Sequence, residues 1–174
     1  MTKTTAVATG YLIMQIISSK PFWQALSLGI LAGMRTTSAP VIANQILSKL
    51  PSKSLSNSSL KFMGSEKAGI AFKVFSIGEL IGDKLPFTPN RIEPGGITGR
   101  CISGGLAGAT IFKANNNNAF IGAFIGSAAA FAGTFGSYYL RKGIVKDSHI
   151  VDPLVGALED ALVIGSGVML IKSA

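Results

Sequence analysis

Ile150–Ile171 reads IVDPLVGALEDALVIGSGVMLI, an apolar stretch with two adjacent carboxylates, Glu159 and Asp160, at its middle. It is long enough to cross a bilayer as a helix. A charge at the centre of a membrane helix is expensive, so it must face protein, water or a counter-charge, and it marks a candidate functional site. A second acidic pair, Glu79 and Asp83, lies in another apolar stretch, Ala68–Leu85, which also carries Lys73. Glu79 and Asp83 stand four apart and therefore share a helix face. Glu159 and Asp160 diverge by about 100° on a helix, so different partners are expected for them.

The rest of the chain fits a membrane protein. Hydrophobic residues make up 48%, charged residues only 14%, and the mean hydropathy is +0.45; an ordinary soluble domain has nearer about a quarter charged residues. The net charge of +8 does not argue for nucleic acid, because Lys and Arg sit mostly at the ends of apolar segments, where lipid headgroups lie. Cys101 is the only cysteine and His149 the only histidine, which excludes an internal disulfide and His-cluster zinc sites. No cofactor is expected beyond a bound cation of unknown identity. The N-terminal run lacks a small-x-small cleavage site, so it reads as retained.

Six apolar segments follow one another in a single membrane domain over residues 1–174. They are Thr5–Ser18, Pro21–Leu47, Ala68–Leu85, Cys101–Phe112, Ala119–Leu140 and the final stretch. The second is interrupted by Arg35-Thr36-Thr37-Ser38 and Pro40, which reads as a broken helix lining a polar cavity, with Arg35 a partner for Glu159 or Asp160. A polar loop, 51–65, and a Pro/Gly-rich connection, 86–100, separate segments; the connection is expected to be non-helical and to lie at the membrane boundary. No period-2 alternation suggests strands. The fold expected is all-α.

Leu31-Ala32-Gly33 recurs as Phe131-Ala132-Gly133, and Gly78-Glu79 aligns with Leu158-Glu159. This implies two three-helix units, about 5–85 and 101–172. An odd number of spans per unit would invert the second copy, bringing Glu79 and Glu159 together at mid-membrane. Six spans also put Lys20, Lys84, Arg91, Arg100, Arg141, Lys142 and Lys146 on one side and lysines alone, among them Lys49 and Lys172, on the other. The glycines of the fourth and fifth segments offer close-packing faces, and through them a route to a homo-oligomer.

Three stretches, Gly29–Arg35 with Pro40, Gly78–Arg91 running to Gly99-Arg100, and Ala157–Ala161, resemble a family of small prokaryotic membrane proteins known as domain of unknown function 4126. The resemblance implies an integral protein of the bacterial cytoplasmic membrane and no particular activity. Glu79–Lys84 is also similar to the Glu-x-Gly-Asp-Lys-Thr/Ser signature of six-span manganese/calcium exchangers, with one extra residue before Gly82 and Leu85 in place of the hydroxyl residue.

The function expected is a small transporter or channel. Glu79, Asp83, Glu159, Asp160 and Arg35 would bind a cation, proton or small solute, with the lipid bilayer as the other partner. The alternatives are a lipid- or anion-handling protein using Lys84, Arg91, Arg100 and Arg141, or a structural scaffold. No catalytic constellation is recognisable, so no enzyme is expected.

Overall fold

The structure, a computed structural model, describes residues 14–50, 52–82, 92–148 and 152–174. These form α1 (Lys20–Met34), α2 (Ser38–Lys49), α3 (Lys53–Ser56), a 3-10 turn (Ser59–Gly64), α4 (Glu66–Gly82), α5 (Pro94–Ala114), α6 (Ala119–Ser148) and α7 (Asp152–Ser173). No strand occurs among the described residues. The first apolar segment falls almost wholly outside them, so six segments are not counted here.

α1, α5 and α6 pack backbone to backbone because glycines line their contacts. A Cβ on Gly126 would overlap the Gly104 carbonyl, and one on Gly108 would overlap that of Gly122. Gly104 thus meets Gly126 while Gly108 meets Gly122, so α5 and α6 are antiparallel. Ser127 Oγ donates across the pair to the Cys101 carbonyl at 2.9 Å. Gly29 abuts Gly126 and Ala129, and Gly33 abuts Ala130 and Thr134, so α1 and α6 run in the same direction. This corrects the matching of the second segment with the fifth that was drawn from the sequence. Leu31-Ala32-Gly33 and Phe131-Ala132-Gly133 do meet, but helices related by an axis in the membrane plane would run oppositely. Gly104, Gly108, Gly122, Gly126 and Gly133 spend their close approach on contacts within the chain, whereas a Cβ on Gly136 would meet nothing within 4 Å.

The second apolar segment does break, and it reverses as well. Lys20 Nζ, at the start of α1, donates to the Ala174 carbonyl at 3.0 Å. Lys49 Nζ, at the end of α2, donates to the Ile171 carbonyl at 3.3 Å. Both lysines therefore lie at the C-terminal end of α7, where helix carbonyls favour cations. The bend between α1 and α2 reaches Asp160 instead, about 12 Å from one end of α7 and 20 Å from the other. α1 and α2 form a helical hairpin whose tip stops part-way along α7. Lys20 consequently shares an end with Lys49, contrary to the side assigned to it by counting spans.

Pro40 falls in the first turn of α2, where no N–H is needed, so it starts that helix rather than kinking one. Ser38 Oγ reaches the Leu31 and Arg35 carbonyls at 2.9 and 2.7 Å, satisfying the frayed end of α1. A second correction concerns the 86–100 connection: Pro94–Arg100 is the opening of α5, with Pro94 at the helix start and Glu93 as N-cap. Proline's fixed φ suits that position.

Apolar side chains remain outside. Ile70, Val74 and Phe75 of α4, Phe120 and Phe124 of α6, and Leu158, Leu162 and Met169 of α7 are all more than half exposed. Two helical stretches, Ala119–Val145 and Leu154–Ser173, are long and apolar enough to cross a membrane.

Candidate functional site

The hairpin tip brings together polar groups from several helices. Arg35 leaves α1 in an extended conformation, and Thr37 precedes the first turn of α2. Around them lie Glu79 of α4, Ser103 of α5 and Asp160 of α7. Ser103 Oγ donates to the Thr36 carbonyl, tying α5 to the tip.

Asp160 pairs with Arg35. One carboxylate oxygen accepts from Nε at 3.0 Å and from Nη2 at 2.5 Å, and the two side chains are 27% and 11% exposed. The neighbouring Glu159 points elsewhere, toward Arg141 Nη1 at 3.9 Å. The 100° divergence of adjacent helical residues therefore separates their partners, as the sequence leads one to expect. Arg141 is only half-buried against Glu159 and Gly156. Arg100 is 8% exposed and packs inside the protein.

Glu79 is held differently. Oε1 accepts the Thr36 backbone N–H at 2.9 Å; Oε2 accepts the Thr37 N–H at 3.0 Å and the Thr37 hydroxyl at 2.5 Å. The carboxylate thus sits on the N-terminus of α2, whose free amides and dipole favour a negative charge. Among the described residues no basic side chain is in ion-pair range of it. Lys73, a candidate partner by sequence, is exposed on another face of α4. Asp83, Lys84 and Arg91 lie outside the described residues.

The three acids line separate cavities. Glu79 shares one of about 420 Å³ with Thr36, Thr37, Pro40, Phe72, Phe75 and Ser103. Asp160 and Arg35 line another of about 280 Å³ between α2, α4 and α7. Glu159 and Arg141 line a third of about 520 Å³ between α6 and α7. The meeting of Glu79 and Glu159 at one central site is therefore corrected: the hairpin tip receives Glu79, while Glu159 turns toward α6. No group of three or more metal-ligating side chains occurs among the described residues. Phe72, Phe75 and Ser103 were not singled out from sequence. The i, i+3, i+7 spacing of Phe72, Phe75 and Glu79 was the available signal for the first two.

One family profile, described as Domain of unknown function (DUF4126), matches residues 23–173. The chain belongs to this family. No curated protein and no solved structure matches it. The matched span takes in the hairpin, its three flanking acids and both long apolar helices. This DUF4126 protein therefore has its whole candidate site inside the family's own boundaries.

Proposed function

We propose that this DUF4126 protein is an integral protein of the bacterial cytoplasmic membrane that carries or conducts a small cation, with Glu79 as the binding carboxylate. One observation carries the reading: Glu79 lines a cavity, and its charge is balanced by backbone dipoles instead of a resident cation. An ion pair already neutralises Asp160, and Arg141 faces Glu159. Of Glu79, Asp160 and Glu159, Glu79 alone faces no cation among the described residues, and it has the most negative charge left to offer a ligand.

The exposed apolar side chains and the two long apolar helices support the membrane location, since soluble monomers rarely expose apolar patches beyond a few hundred Å². The reversed hairpin supports transport. Non-helical backbone at membrane depth is tolerated where it is buried or lines a cavity, and interrupted helices there bind ions with their ends. Of the inverted repeat, only the pairing of α4 with α7 enters the proposal. α4 runs from Gly69, beside Asn44, down to Glu79 at the tip, whereas α7 runs from the tip toward Lys49.

Purified protein in liposomes should pass a cation, and Glu79→Gln should abolish the flux while the protein remains folded. Equal flux in both would remove Glu79 from the path. A second reading, lipid or anion handling, draws on the cavity of about 520 Å³ beside Arg141. It predicts that Arg141→Ala weakens flotation with anionic vesicles, and unchanged flotation would end it. No catalytic step is proposed.

A further inference from the structure

We infer that the Glu79 cavity takes an organic ammonium ion rather than a bare metal ion. This rests on the cation reading above and narrows its substrate class. The donor set is wrong for a hard metal. Calcium takes six to eight oxygen ligands and magnesium about six in strict geometry, whereas this cavity offers one carboxylate whose two oxygens already accept three hydrogen bonds. The only other side-chain oxygens in the lining are the hydroxyls of Thr36, Thr37 and Ser103, fewer than these metals take. A hydrated alkali or alkaline-earth ion entering here would shed more water than these oxygen atoms can replace.

The walls suit an alkylated cation. Phe72, Phe75 and Glu79 fall on one face of α4, and Pro40 stands across from them. Phenyl faces attract cations through the ring quadrupole, most strongly for weakly hydrated ammonium groups packed against them. The carboxylate supplies the charge, and the α2 amides hold it in place, so no rearrangement of Glu79 precedes binding. At about 420 Å³ the cavity falls in the range of small-molecule sites. Phe75 is 67% exposed at the mouth, on the apolar side of α4. An ammonium ion carrying hydrocarbon can enter from that side more readily than a hydrated ion.

Isothermal titration of the purified full chain tests this, with tetraethylammonium chloride set against potassium and calcium chlorides at matched ionic strength. Tetraethylammonium should bind and the metal ions should give no saturable heat. Phe72→Leu keeps an apolar side chain but removes the ring, and should weaken tetraethylammonium roughly 3- to 30-fold. Glu79→Gln should abolish binding; should that variant fail to fold, Phe72→Leu still decides the matter. Saturable calcium or potassium binding without tetraethylammonium binding overturns the inference and leaves the cation reading standing. Tetraethylammonium binding that neither substitution alters places the ion elsewhere and overturns it too. Absence of binding by every ion removes both. Binding as predicted with no flux in liposomes sustains the inference and removes transport.

Discussion

α4 and α7 both lean on the tip of the α1–α2 hairpin through a carboxylate, and they do so by opposite means. Asp160 of α7 meets a full positive charge on Arg35. Glu79 of α4 meets two backbone amides and a hydroxyl, which hold it without neutralising it. The first arrangement is costly to break and has little left for a ligand. The second is cheaper to alter and retains net charge beside a cavity. An acid in an apolar helix is therefore a poor guide to function until its partner is known.

The largest expected effect comes from separating the Arg35–Asp160 pair. Arg35→Met should lower unfolding stability by about 3 kcal/mol, because removing one partner leaves a largely desolvated charge. Adding Asp160→Leu should recover most of that loss, since apolar replacements of a buried pair are often neutral. Thermal unfolding in detergent checks both; a double variant as weak as the single one would contradict this pairing.

Glu79→Gln should cost less, about 1 kcal/mol, in the range of a lost helix N-cap. The amide oxygen can still accept a backbone N–H, while the charge that favours the α2 N-terminus is gone. A loss as large as that of Arg35→Met would mean that Glu79 is chiefly a structural clamp.

The long helices were legible from hydropathy. The final stretch, 150–171, became α7 at Asp152–Ser173, and the uncharged run 119–140 became α6, extended through Arg141 and Lys142 to Ser148. Between α5 and α6, Asn116 takes a positive φ of 61°, which asparagine tolerates. That Arg35 would pair with Glu159 or Asp160 followed from the need of a buried acid for a cation, and the partner is Asp160.

The reversal at Arg35–Thr37 was not legible, because hydropathy records burial and carries no sign of direction. Lys20 and Lys49 at the two ends of the second segment look the same whether it crosses or returns. The partners of Glu79 were missed for a related reason. A search for cations passes over backbone amides, although Thr36-Thr37-Ser38 ahead of Pro40 is a helix-start signal that marks where free amides collect. The match of Leu31–Gly33 with Phe131–Gly133 misled because small residues recur wherever helices touch, and Gly33 and Gly133 share a contact.

The central claim is that Glu79 serves a ligand while Asp160 serves the fold. Tetraethylammonium flux into liposomes, measured side by side for the wild type, Glu79→Gln and the Arg35→Met/Asp160→Leu double variant, tests it most directly. The account predicts that the double variant retains wild-type flux and that Glu79→Gln loses it. Flux that survives Glu79→Gln and disappears in a folded double variant would contradict the account.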